Sequence, residues 1–138
     1  MSELLNVWVP CNPPRAWGKN SKRAFVRGNH AVVVEGSNIK NTKEFLFGVL
    51  AGEYHGGMSE EPLKLSIQVF MQKPKSVKRH DCTVAPDIDG IATTVMDVLE
   101  RLGFYKNDSQ IIELSVRKSY EHPFDGSTGI KIELEELL

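Results

Sequence analysis

Long apolar runs are missing from this 138-residue sequence. No stretch approaches the ~20 apolar residues of a membrane span, so no membrane partner is expected. Cysteine is scarce, with only Cys11 and Cys82. Two thiols without Cys-x-x-Cys spacing argue against a disulfide scaffold and for reduced cysteines in an intracellular protein. Net charge is almost absent, at −1, so the chain as a whole exerts no electrostatic pull on nucleic acid. The opening MSELLNVWVP has no basic n-region and too short an apolar run for a signal peptide. A cytoplasmic protein is the expectation. There is no internal repeat and no low-complexity tract, and the length fits one domain, residues 1–138, able to bury a core.

What is present is an uneven spread of charge. Arg15, Lys19, Lys22, Arg23, Arg27, Lys40 and Lys43 face one acid, Glu35, over that stretch. A second basic run holds Lys73, Lys75, Lys78, Arg79 and His80, while acids gather later, as in Glu133, Glu135 and Glu136. Either run alone is explained by a solvated surface. Together they could also bring a phosphate backbone to the protein.

Hydrophobic periodicity sets the elements. Leu5, Val7 and Val9 alternate up to Pro10, a first strand. The Pro-, Gly- and Asn-rich stretch CNPPRAWGKNSKRAF then reads as a long exposed loop, of a length usually tied to function or disorder. Ala31–Glu35 is a short β-branched strand. Asn38 or Asn41 can cap a helix to about Tyr54, with Phe45, Val49 and Leu50 on its apolar side and Gly56 and Gly57 as its stop. Pro62–Gln72 alternates clearly, with Leu63, Leu65, Ile67, Val69 and Met71 on one face. After Asp89, residues Ile91, Val95, Leu99 and Leu102 follow helical spacing up to Gly103. Ile112, Leu114 and Val116 mark another strand, and Ile130, Ile132 and Leu134 a last, edge-like one. The order β–(β)–α–β–α–β–β, with two neighbouring strands at the end, predicts an α+β fold: a mixed β-sheet with helices packed on one face.

The densest chemistry lies in PDIDGIATTVMDVLERLGFYKNDSQII, residues 86–112. Asp87 and Asp89 flank Ile88, and in extended backbone both carboxylates face one side. One of them could simply cap the helix. Asp97 could form a surface pair with Arg101 at i+4. Asn107 and Asp108 sit in a turn sequence, where Asp108 could close a metal site from the loop. Carboxylates so gathered suit a hard divalent cation, and the constellation reads as a metal-dependent nuclease.

The same stretch resembles the RusA-type Holliday-junction resolvases. Their signature runs P-D-x-D-N-x-x-K, then a helix ending in D-A-L, then Y-x-D-D-S-Q-I before a strand. Matching positions here are Pro86, Asp87, Asp89, Asp97, Leu99, Tyr105, Asp108, Ser109, Gln110 and Ile111. Asn12, Pro13 and Pro14 with the basic residues after them look like the family's opening. The resemblance implies a homodimer that binds four-way DNA junctions and cuts two opposed strands, using Mg²⁺ (Mn²⁺ as a substitute) and no small-molecule cofactor. It implies that Asp87, Asp89 and Asp108 are the metal-holding catalytic acids.

Three positions depart from the signature: Gly90 for Asn, Thr93 for the catalytic Lys, and Asn107 for the first Asp of the acidic pair. Thr cannot supply an ammonium to developing phosphate charge. Lys106, nearest in sequence, is the candidate replacement. Arg15, Lys19, Lys22, Arg23, Lys78 and Arg79 are the candidate DNA-binding cations. Trp17 could stack on a base at the branch point or pack as a structural residue. The alternatives to a resolvase are a RusA-like protein that binds branched DNA without cutting, a nuclease for other branched or flapped DNA, and an interaction domain whose acids only cap turns.

Overall fold

The computed structural model describes residues 2–15, 17, 22–27, 30–35, 37–79, 81–122 and 125–137; for 22–27, 30–35 and 37–41 it describes the backbone alone. Six strands and two helices follow in the order β1 (Ser2–Pro10), β2 (Lys22–Arg27), β3 (His30–Glu35), α1 (Ser37–Ala51), β4 (Leu63–Met71), α2 (Ile88–Leu102), β5 (Ile111–Tyr120) and β6 (Gly129–Glu136). A 3₁₀ turn, Asp108–Gln110, leads into β5.

Four strands form a mixed sheet in the order β1-β6-β4-β5. β5 runs parallel to β4, while β6 is antiparallel to both β1 and β4. α2 is the crossover that returns the chain from the end of β4 to the start of β5, as a parallel pair requires. The alternating residues Leu65, Ile67 and Val69 of β4 lie beside Leu134, Ile132 and Ile130 of β6. All are buried, and with Leu5, Val7 and Val9 they meet Leu46 and Leu50 of α1 and Ile91, Val95, Val98 and Leu99 of α2. The helices thus cover one face, and the fold is α+β. Among the described residues no helix is long and apolar enough to cross a membrane.

Four expectations need correction. The last strand is central, between β1 and β4, and β5 and β6 flank β4 instead of neighbouring each other. Its alternation with Lys131, Glu133 and Glu135 reflects a sheet covered on one face only, which a central strand shows as readily as an edge strand. Lys22–Arg27 is a strand paired with β3 in a separate two-stranded ribbon, not part of a loop. On α1 the buried stripe is Leu46 and Leu50, while Phe45 is 44% exposed. On β5, Ile112 and Leu114 remain 64% and 48% exposed because the strand forms the sheet's edge.

Candidate active site

Strand direction decides which loops meet. β1 and β4 both run against β6, and β5 runs with β4, so the C-terminal ends of β1, β4 and β5 share one end of the sheet. The loops after Pro10 and Met71, and the start of α2, therefore gather there.

α2 reaches that end because its sequence fixes both its limits. Gly103 closes it in the left-handed conformation at φ 87°, its N–H donating to the carbonyls of Glu100 and Leu99. Asp87 is the N-cap, at φ −80° and ψ 145°, but its side chain makes no capping hydrogen bond. The helix already includes Ile88, so Asp89 lies in the first turn and the extended-strand parity argued from sequence stops at Asp87. Both carboxylates are exposed. The unpaired N–H groups of this terminus favour negative charge beside them.

Two contacts hold the segment in place. Lys118 of β5 donates from Nζ to the carbonyls of Val84 at 2.7 Å and Pro86 at 2.8 Å. Trp17 in the first loop lays its backbone on the helix: a Cβ built on Gly90 would stand 2.7 Å from the Trp17 carbonyl oxygen. Gly90 is what this approach requires, and Asn there, as in the RusA signature, would force the loop away. The Trp17 indole is 5% exposed, its Nε1–H donating to the Pro14 carbonyl. Trp17 is a packing residue, and base stacking by it is ruled out in this arrangement.

Asp108 is tied further along α2, near its middle. Its Oδ1 is 2.8 Å from the buried Tyr105 hydroxyl, which is also 2.7 Å from the Met96 carbonyl. Met96 is seven residues past Asp89, roughly 10 Å further along α2. Among the described residues no three His, Cys, Asp or Glu side chains come together as a metal site. The structure thus gathers Asp87 and Asp89 at one helix terminus and holds Asp108 apart from them.

The rest of the second acidic turn is structural. Asn107 Oδ1 accepts from the Ser109 N–H, and Gln110 Oε1 accepts from the N–H groups of Asn107 and Lys106, a reciprocal cap. Gln110 Nε2 donates to the carbonyls of Ser59 and Glu61. Asn at 107 is therefore well suited where the signature has Asp.

The candidate cations divide by position. Arg15, Lys78 and Arg79 are exposed on the two loops at the acid end. A groove of about 450 Å³ runs between those loops, lined by Asn12, Arg15, Gln72, Lys73 and Lys75 among others, with no acid in its lining. Lys73 and Lys75 were not among the sequence-based DNA-binding candidates, although their basic run was visible. Lys19 lies outside the described residues, and Lys22 and Arg23 belong to β2, their side chains also outside them. Lys106 pairs with exposed Glu60 at 3.8 Å, on the Asp108 side. Asp97 pairs with Arg101 at 3.2 Å and Lys43 at 3.6 Å, which is the surface-pair outcome. Thr93 turns its hydroxyl to the Asp89 carbonyl at 2.8 Å. Lys118 was missed, because nothing local in sequence links it to Pro86.

No curated protein matches the chain. The family model for endodeoxyribonuclease RusA matches residues 13–135, nearly the whole length over which the acid terminus, the basic loops and the sheet are laid out, and the chain belongs to that family of Holliday-junction-resolving endonucleases.

Proposed function

We propose that this protein is a divalent-metal-dependent endonuclease that resolves four-way DNA junctions, with Asp87 and Asp89 as its principal metal-holding carboxylates. The observation that carries this reading is the shared end of the sheet, where two exposed acids stand with loops bearing Arg15, Lys73, Lys75, Lys78 and Arg79. The donor set fits Mg²⁺ or Mn²⁺: the ligands are hard carboxylate oxygens, that of Asp87 free of capping duty, and Mg²⁺ commonly takes only one or two protein carboxylates. When bound, such a cation stabilises charge on the phosphoryl oxygens and lowers the pKa of water.

The protein's own residues do the rest. Asp87 and Asp89 would hold the cation at the helix terminus. The basic loops grip phosphates, which fixes the register of DNA without reading its sequence. Asp108, roughly two turns along α2, acts at longer range as negative charge and as the acceptor that ties its turn to Tyr105. Lys106, already paired with Glu60, is outside this machinery. A two-fold homodimer would present two such sites to two symmetry-related strands. The exposed Ile112 and Leu114 on edge strand β5 offer an apolar strip for that pairing. The free thiols of Cys11 and Cys82 are in keeping with the cytoplasm.

Asp87→Asn and Asp89→Asn should each abolish cutting of a four-way junction while leaving binding equal or tighter. Removing a carboxylate weakens the metal site and also removes repulsion toward phosphate. Full cutting by either variant in a gel cleavage assay would overturn the assignment.

One observation favours a second reading, a protein that binds junctions without cutting. Thr93 carries no charge where the signature has Lys, and its hydroxyl is spent on the Asp89 carbonyl. A four-way junction and a duplex of equal length, each with Mg²⁺ and with Mn²⁺, separate the two. Cut products support the enzyme; a shifted band that stays intact in both metals supports the binder.

A further inference from the structure

Lys118 has an unusual set of partners for a lysine. It sits on the helix-covered face of β5, opposite Val69, between Val116 and Tyr120. Its half-buried stem runs along this apolar surface, as long cationic side chains do. Its head binds no carboxylate among the described residues and instead donates to two backbone carbonyls, those of Val84 and Pro86. Both lie in the segment that delivers Asp87, and Pro86 immediately precedes it.

An ammonium has three donors and no acceptor, so one N–H remains after these two bonds. Among the described residues no carboxylate pairs with its charge beside the entry to α2. Asp87, in contrast, has no capping bond of its own to fix it. The neighbouring strand-like contact supports the same geometry: Asp81 bridges to Ser119 and its carboxylate pairs with Arg117 at 3.5 Å, laying the segment along the edge of β5. Lys118 completes that anchorage at the last residue before the acid.

We infer that Lys118 is a positioning residue for the metal-holding terminus, setting the backbone of Asp87 through the Pro86 carbonyl. This rests on the metal-site reading above. Hydrogen-bonded partners behind metal ligands are commonly worth about 10- to 100-fold in metal affinity or activity.

The test uses the full chain and needs no DNA for its first readout. Mn²⁺ binding is measured by electron paramagnetic resonance for wild type, Lys118→Met and Lys118→Arg, beside urea unfolding of each. Lys118→Met should weaken Mn²⁺ binding about tenfold, the lower bound for such partners, and raise by the same factor the metal concentration for half-maximal junction cutting. Saturating metal should then recover most of the rate. Lys118→Arg, which can donate to both carbonyls, should bind metal nearly as wild type does. If Lys118→Met does not fold, Lys118→Gln, which donates but has no charge and a shorter reach, takes its place. Unchanged Mn²⁺ affinity in the variant, or a loss that only tracks the unfolded fraction, overturns the inference and leaves the metal site standing. A wild type that binds no Mn²⁺ overturns the metal site and this inference with it.

Discussion

Tyr105 has one hydroxyl hydrogen and two acceptors in reach, the Met96 carbonyl and Asp108. Its ring is fully buried. Burial first, then the hydrogen bond and charge of Asp108, push its ionisation well above the ordinary tyrosine value of 10.0. The sign of the linkage follows. Tyrosine in the unfolded chain ionises near 10, whereas in the fold it stays neutral. Stability from Tyr105 is therefore complete below pH 10 and declines as the pH rises beyond it. The slope from this one group is about 1.4 kcal/mol per pH unit. Tyr105→Phe should remove that share of the slope, at a cost of about 1 kcal/mol at neutral pH for the lost hydrogen bond. Urea unfolding at neutral and alkaline pH reads both effects. An alkaline slope unchanged in the variant would show that other groups set it. Lys106 offers the contrasting case of an exposed pair. Lys106→Met should change stability by less than about 1 kcal/mol and leave cleavage intact, and a crippled variant would return Lys106 to the active site.

At the scale of elements, α2 was almost fully legible in the sequence. Its seam follows helical spacing, and Gly103 supplies a left-handed stop that other residues adopt with strain. β1, β4 and β6 were legible for a similar reason, since alternation reports a half-covered strand. Alternation carries no information about which strand lies beside which, and that is why β6 read as an edge. Pairing is a contact between distant segments. The same limit hid Lys118, whose partners lie 32 and 34 residues away. β2 was hidden differently, by loop-like composition around a short basic strand. How the acids Asp87, Asp89 and Asp108 are placed relative to one another was not legible, because it depends on where α2 begins and on Tyr105 tying Asp108 to mid-helix. Gly90 shows how an apparent defect in a motif can be a packing requirement. Gly90→Ala places a Cβ 2.7 Å from the Trp17 carbonyl, so the first loop must shift. Overpacking of this kind costs about 1–3 kcal/mol, more than the small gain of Ala over Gly in a helix. Thermal unfolding should show a lower midpoint, with Trp17 fluorescence moving toward that of a wetter indole. A stabilised variant with unchanged emission would mean that the loop yields freely.

The molecule as a whole is polar along its strands. One end carries Asp87 and Asp89 with the loops of Arg15, Lys73, Lys75, Lys78 and Arg79; the other carries Glu60, Glu61, Lys64 and Lys106. Net charge near zero hides this arrangement, since it averages the ends. Binding to DNA follows the local cations, because each phosphate neutralised releases counterions and adds about 0.9 to the slope of log affinity against log salt. Lys73→Glu with Lys75→Glu should therefore weaken binding to four-way junction and duplex alike, whatever the sequence, and flatten the salt slope by about 2 if each lysine meets one phosphate. The matched control is Lys64→Glu with Lys106→Glu, which makes the same change of net charge at the opposite end. Long-range attraction to the net charge would treat the two pairs equally, and at physiological salt it is screened over about 8 Å. Direct phosphate contact would separate them. Titrations at several salt concentrations decide the matter: a slope flattened by the first pair alone puts DNA against the acid end, where Asp87 and Asp89 can act on it. Equal effects from both pairs would mean that the grip on DNA is not at that end, and the proposed metal-holding acids would then have no phosphate within reach.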